Sequence, residues 1–441
     1  MNERALTATL IVLALAACTS TPTPTGTLAT TPTGTPAPTA LPTATTQPTL
    51  PPTPTTTLEP TLPPTEPPTA TPTVEPTATP TVAPSATPSS GWTEPQLIAG
   101  GVFQETDVVV DSSGFVHVAA AGYGTNNRGI WYFTNASGAW TEQHVSSPPH
   151  EQEGDEYDGE PSLALDGDGS VWIAFTRWSC WECAPNPPDG VFVTTNASGT
   201  WSEPQEIADC MCGGPSLNVR DGIARLTYHE YGGWYFGTRD WPVWYATTET
   251  GQWATTRVAR KGSTPQLSVD ADGLVQILFA APNDLQFVTQ LPDGSFGQAE
   301  SLPGSGGGFD IDLTVEPSSR LMWAGWSQFT DDSNHINVMV ASRGADGWSQ
   351  PELAIVDGDL TSLAAGQGSV HASAVLSDPD HWGGLVYASN LSGPFATEKL
   401  AEAGGDTSAL VVDAVGRAYV VYSVDEPKAE RGLWLLVHAR P

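Results

Sequence analysis

Pro161-Ser162-Leu163-Ala164-Leu165, then Asp166-Gly167-Asp168-Gly169, then Val171-Trp172-Ile173-Ala174-Phe175 decide the fold of this chain. The first segment alternates as a strand, the second is a turn signal, and the third is a continuous apolar strand of the kind buried on both faces. Gly190-Val191-Phe192-Val193, the turn Asn196-Ala197-Ser198-Gly199 and an outer strand from Trp201 complete the unit. The order returns at a spacing of roughly 50 residues, the signature of a radial or stacked repeat, because one such unit cannot bury both its faces alone. First strands end near Asp111, Asp166, Arg220, Asp270, Glu316, Gly366 and Asp413, which makes seven units. Outer strands open with Trp140, Trp201, Trp253, Phe296, Trp348 and Phe395, one large ring per unit to cover the face of the next.

The seventh unit reaches Pro441 after its third strand, with no fourth. The missing piece is Trp92-Thr93-Glu94-Pro95-Gln96-Leu97-Ile98, at the other end of the repeat region. A β-helix or open solenoid would need atypical capping repeats at its ends. Ends that complement each other predict a ring instead: an all-β, seven-bladed β-propeller over 91–441, closed by the N-terminal strand.

Residues 1–18 read as an export signal, with Arg4 before an apolar run, Leu6 to Ala17, too short to span a bilayer. Leu15-Ala16-Ala17-Cys18 looks like a bacterial lipobox, and that resemblance implies lipidation of Cys18 and anchorage outside the cytoplasm, on the cell envelope. Residues 19–90 are almost wholly Thr, Pro, Ala and Ser, with nothing to bury; they are expected to form an extended linker. The formal net charge is −33, from 16 basic and 49 acidic residues. A surface of that sign repels nucleic acid and anionic lipid, so neither is an expected partner. The repeat domain is expected to be a monomer.

In a four-stranded blade the D–A and B–C connections share one face, and the A–B and C–D turns share the other. The turn face receives the Asp-rich turns at Asp166 and Asp270, which resemble the start of a calcium loop without its remaining ligands. Plain turn chemistry is the expectation there, with no cofactor assigned and calcium the one ion left open. Asn135, Asn196 and Asn390 fit the glycosylation pattern but sit where Asn serves a hairpin.

The loop face is richer in chemistry. It receives Arg177 and Trp178 from blade 2, His229, Glu230, Tyr231, Trp234 and Arg239 from blade 3, Trp326 from blade 5 and Trp382 from blade 6. Carboxylates beside exposed indoles suit sugars, since acids accept hydroxyl hydrogen bonds and rings stack on apolar sugar faces. First-strand starts ring the channel mouth, which places Glu105, Glu160 and Asp310 on an acidic rim. Such a rim could hold a cation, bind a glycan or supply an acid/base pair. Cys180, Cys183, Cys210 and Cys212 fall on the same face; an exported location favours disulfides over a four-thiolate zinc site, with cross-pairing between the two pairs expected.

The strand–Asp–Gly–strand pattern and the C–D hairpins followed by Trp resemble the bacterial BNR-repeat, sialidase-like propellers over 91–441. The nearest versions of that family's Asp box, Thr194 to Trp201 and Thr134 to Trp140, shift the Gly and replace Asp by Asn. The resemblance implies a glycan-directed propeller. Sialidase catalysis would require three arginines gripping a carboxylate, a Tyr–Glu nucleophile pair and an Asp, and the opening Arg-Ile-Pro or Arg-Leu-Pro motif is absent. Arg128, Arg177 and Arg239 are the arginines that would have to converge, and Glu230 and Tyr231, being adjacent on an extended segment, point apart. The expected function is therefore a surface lipoprotein binding glycans or envelope proteins. A glycoside hydrolase using rim carboxylates is the alternative, and a protein scaffold the second alternative.

Overall fold

The computed structural model describes residues 91–438 apart from 124–127, 148–156, 179–188, 232–240, 271, 318, 331–334, 379–380, 392, 403–406 and 426–427. Every regular element among the described residues is a strand, and the strands form seven separate antiparallel sheets. Each sheet is one blade. The innermost strands (A) of blades 1 to 7 are Val102–Val110, Tyr157–Leu165, Cys212–Arg220, Ser263–Val269, Phe309–Val315, Gly358–Gly366 and Ser408–Val412. Residues from all seven line one central cavity of about 630 Å³.

In six blades the strands follow chain order from the channel outwards. Blade 7 is built differently: Gln96–Gly100 pairs on the outside of Gly432–His438, with Gln96 opposite Leu435 and Trp92 bridging to His438. Trp92 meets Tyr387 of blade 6 edge-on at 5.0 Å and donates its indole N–H to Glu398 at 3.0 Å. The same edge-on contact recurs at other seams: Trp201 on Tyr132 at 5.3 Å, Phe296 on Tyr245 and Trp348 on Phe287, both at 5.4 Å. At these seams the outer aromatic seals its blade onto the third strand of the blade before, and Trp92 does so for the seventh. Trp201 and Phe296 stand before the outer strands, while Trp348 lies in the short strand Gly347–Trp348 that pairs with the third strand of its blade.

The turn face spends its polar groups on itself. Oδ1 of Asp111 accepts the amides of Ser113 and Phe115, that of Asp270 those of Asp272 and Leu274, and that of Asp413 those of Val415 and Arg417. Asn135 and Asn196 take the first amide of their blade's second strand, from Val116 and Val171, and Asn390 takes the second, from Val370, each at 2.8 Å. These are turn residues doing the work of turns. Function has to be sought on the opposite face.

Candidate ligand-binding face

Strand A breaks register near its start in the first six blades, and the break builds the channel mouth. The shifts fall at Gln104/Thr106, Gly159/Ser162, Gly213/Ser216, Ser263/Gln266, Phe309/Asp312 and Leu360/Ser362. At five of them a residue has left-handed backbone: Glu105 (φ 49°), Glu160 (50°), Gly214 (59°), Thr264 (44°) and Asp310 (41°). Only one of the five is glycine, so the others carry a local strain that the surrounding ladder must hold. A bulge re-aims side chains, and here it turns them along the rim towards the next blade. Glu105 accepts the amide of Glu160 at 2.7 Å, and Glu160 in turn accepts that of Gly214 at 2.8 Å. Two residues deeper a second layer repeats the device: Asp107 takes the amide of Leu163 and Asp312 that of Leu363, each at 2.7 Å, and Ser162 and Ser216 take those of Leu217 and Leu267 at 3.0 Å. The acidic rim is also the lacing between blades.

Around the rim runs an arc of rings that share one repeat position. Tyr123, Trp178, Tyr231 and Phe329 each stand two residues beyond the second-strand residue that pairs with the last residue before the bulge. Tyr123 lies 5.8 Å from Tyr157, which stacks on Trp178 at 6.2 Å; Trp178 meets Tyr231 at 5.2 Å, and Tyr231 meets Trp241 edge-on at 5.3 Å. The close approach depends on glycine. A Cβ on Gly159 would stand 2.8 Å from the Tyr157 ring, and one on Gly213 would stand 2.7 Å from the Tyr231 hydroxyl. Trp241, 36% exposed, ends the arc. Across the mouth Phe329, 53% exposed, stacks on Phe309 at 4.8 Å.

The arc surrounds carboxyl groups held in an unfavourable setting for charge. Burial pushes Glu160 up to about 7, with Glu105 adding repulsion against the amide of Gly214 and the hydroxyl of Thr176. Glu105 is raised by burial as well. Asp107 and Asp312 rise to about 6 through burial, partly offset by the amides they accept. Solvent reaches Asp310, yet packing around its carboxyl and the hydrogen bond to Asp359 push it up too. The phenols of Tyr123, Tyr157 and Tyr231 are raised by burial and then by Glu105 and Glu160, so all three stay neutral donors. His229 is 1% exposed and held down at about 4 by burial. Its Nδ1 accepts the amide of Thr264 at 3.3 Å, which places the proton on Nε2.

The structure brings together Glu105, Glu160, Trp178, His229 and Tyr231 from among the residues singled out in the sequence. Glu230 points away from Tyr231, taking the indole N–H of Trp244 at 3.2 Å. Two expectations need correction. Trp326 is not on the face: it lies mid-strand in blade 5, 0% exposed, in the core with Leu278 and Phe287. Its place in a continuous apolar second strand, buried on both sides, is the reason. Arg177 is not available to a ligand carboxylate either. Its Nε and Nη2 grip Asp158 at 2.6 and 2.8 Å, with Asp158 0% and Arg177 11% exposed, and the guanidinium lies 4.7 Å from the Phe192 ring. Directly opposite each other in the ladder, the two form a closed ion pair.

The cysteine expectation changes as well. Cys210 bonds to Cys212, not to the earlier pair; the chain reverses between the outer strand of blade 2 and strand A of blade 3, bringing the two Cα atoms to 5.3 Å. Trp382 is the second residue of the third strand of blade 6, His381–Ser389, opposite Ser377. Its side chain, and the residues Cys18, Cys180, Cys183, Trp234 and Arg239, lie outside the described residues. Among the described residues no three His, Cys, Asp or Glu side chains gather as a metal site. Tyr123 was missed by sequence reasoning; its signal was the position it shares with Trp178 and Tyr231 in successive repeats, which composition alone does not display.

No family model and no curated protein matches this chain. Among solved structures it is similar to a polysaccharide lyase of the PL25 family, an ulvan lyase also solved bound to -[GlcA(1-4)Rha3S]-, at 11% identity over 78% of this chain and 96% of the lyase, with a TM-score of 0.55. It also matches the NanB sialidase of Streptococcus pneumoniae at 12% identity over 77% of this chain and 70% of the sialidase, with a TM-score of 0.42. Similarity at this level is a likeness of fold.

Proposed function

We propose that this chain displays its propeller as a glycan-binding module, with the ligand lying across the aromatic arc over Glu105 and Glu160. The single observation that carries the reading is the run of rings Tyr123, Tyr157, Trp178, Tyr231 and Trp241 around two carboxyl groups at the channel mouth. Rings offer flat apolar faces to the C–H faces of sugars, while neutral phenols and partly ionised carboxyls offer donors and acceptors to hydroxyls. The lyase of the same fold, solved with an oligosaccharide, supports the idea that a propeller of this kind can hold a sugar chain. Anchorage through Cys18 and projection by the 19–90 linker belong to the same proposal, since a module that captures glycans outside the cell needs both attachment and reach.

Hydrolysis is the second reading, favoured by one observation: Glu160 sits near 7, where a general acid can give and regain a proton at neutral pH. Against it, the carboxyls of Glu105 and Glu160 are engaged with neighbouring amides, and Arg177 is engaged with Asp158. A glycan array read alongside fluorogenic glycosides separates the two. Binding without turnover, lost in Trp178→Ala, is the expected result. Turnover of any glycoside that disappears in Glu160→Gln would replace the binding module by an enzyme.

A further inference from the structure

We propose that the mouth selects glycans that carry no acidic groups. This rests on the glycan reading above and adds the class of sugar. Among the described residues, the groups that would touch a ligand on the arc are rings, neutral phenols and carboxyls. Glu105, Asp107, Asp310, Asp312 and Asp359 line the cavity beneath it, and Glu160 lies close enough to Glu105 and Tyr231 to interact with both. Asp107 and Asp312 are near enough to repel each other across the channel. The arginine nearest the arc in the ladder, Arg177, is closed on Asp158. His229 packs against Tyr231 at 4.4 Å and Trp241 at 6.0 Å but remains neutral.

Such a site rewards uncharged donors and acceptors. Sugar hydroxyls can supply hydrogen bonds to carboxyl lone pairs. A uronate or sulfate would instead add a negative charge beside carboxyls whose own ionisation is already unfavourable. Like charges brought that close, without a cation between them, cost on the order of tenfold to a hundredfold in affinity. The formal charge of −33 works in the same direction at longer range. Two cations sit on this face beyond the arc: Arg260 and Lys261, exposed on the connection from blade 3 to blade 4, where the next residue, Gly262, donates its amide to Trp241. Among the described residues they offer a route by which an acidic glycan would be held.

The test is a set of uronate-containing oligosaccharides, each paired with its own carboxyl-reduced form, titrated calorimetrically against the full chain at pH 8 and pH 5.5. The reduced member should bind at least tenfold more tightly at pH 8. The gap should narrow at pH 5.5, where Glu160 gains a proton while the uronate stays charged, and should narrow in Glu160→Gln at pH 8. A uronate member that binds as well as or better than its reduced partner, with the advantage lost in Arg260→Gln, overturns the selectivity and leaves the glycan reading standing. Binding of neither member in any pair removes the glycan reading and the selectivity with it.

Discussion

The seams between blades 1 and 2 and between blades 5 and 6 share a plan, and their mouth carboxylates differ by one methylene. Each has a carboxylate on a left-handed bulge, Glu105 or Asp310, and a latch two residues deeper, Asp107 to Leu163 or Asp312 to Leu363. Glu105 is long enough to reach the amide of Glu160, the residue three before Leu163. Asp310 is too short to do the same. The corresponding amide, Leu360, donates instead to Ser327, whose hydroxyl bonds to Asp359, and Asp310 is left to share a hydrogen bond with Asp359. One seam therefore ties its mouth carboxyl to the backbone under a run of aromatic rings. The other holds a carboxyl pair beside the exposed Phe329.

The largest expected effect tests whether the first seam is structural below its mouth. Arg177→Ala would strand Asp158, fully buried, without its partner, and should cost about 3–5 kcal/mol, read as a lowered denaturant midpoint at unchanged slope. A midpoint within experimental error of the parent would return Arg177 to the ligand. Glu105→Asp is smaller and more pointed, because it turns the first seam into the second. It frees the amide of Glu160 and should cost about 0.5–1.5 kcal/mol. Asp310→Glu should show no comparable gain, since Ser327 already holds Leu360.

The seams should also answer differently to pH. Asp107 and Asp312 near 6 and Glu160 near 7 lie above their ordinary values of 3.8 and 4.5, so the folded chain binds more protons than the unfolded one between about pH 4 and 7. Their contribution is fully present below the unfolded values and is lost as pH rises through 6 to 7. His117, His229, His371 and His438, all held low by burial, work the opposite way, but they are outnumbered by the raised carboxyls Glu105, Asp107, Glu160, Asp310 and Asp312. Melting temperature should therefore be higher at pH 5.5 than at pH 8. Asp310→Asn, which removes one member of the carboxyl pair, should recover stability at pH 8 more than at pH 5.5. Equal melting at both values would mean that these carboxyls ionise freely.

How much of this was legible beforehand follows the same division. Strand ends at Asp111, Asp166, Asp270 and Asp413 and the closing role of Trp92 were readable, because turn chemistry and repeat period are local and each has one structural solution. Rim membership of Glu105, Glu160 and Asp310 was readable by counting back along strand A. Their use as lacing was not, since it depends on a bulge and on the reach of a side chain across a seam. Trp178 and Trp326 look alike in sequence; one ends its strand at the mouth, the other sits mid-strand between two blades. Asp158 and Arg177 lie 19 residues apart and meet only through ladder register. Cys210 and Cys212 pair because the chain reverses between them, which spacing alone does not reveal.

The smallest effect on stability should accompany a clear effect on binding, and that contrast isolates the arc from the lacing. Trp241 is 36% exposed, and its ring contacts are with Tyr231 and His229. It seals no seam between blades, unlike Trp92 or Trp201. Trp241→Ala should leave the denaturant midpoint within about 0.5 kcal/mol of the parent. Glycan affinity should fall about tenfold, the worth of one well-stacked ring. A lost midpoint with unchanged affinity would make the arc packing for the loops of blade 3. The opposite pattern, weaker binding on an intact fold, is expected if the rings that end the second strands are free to serve a ligand because the outer aromatics already close the ring.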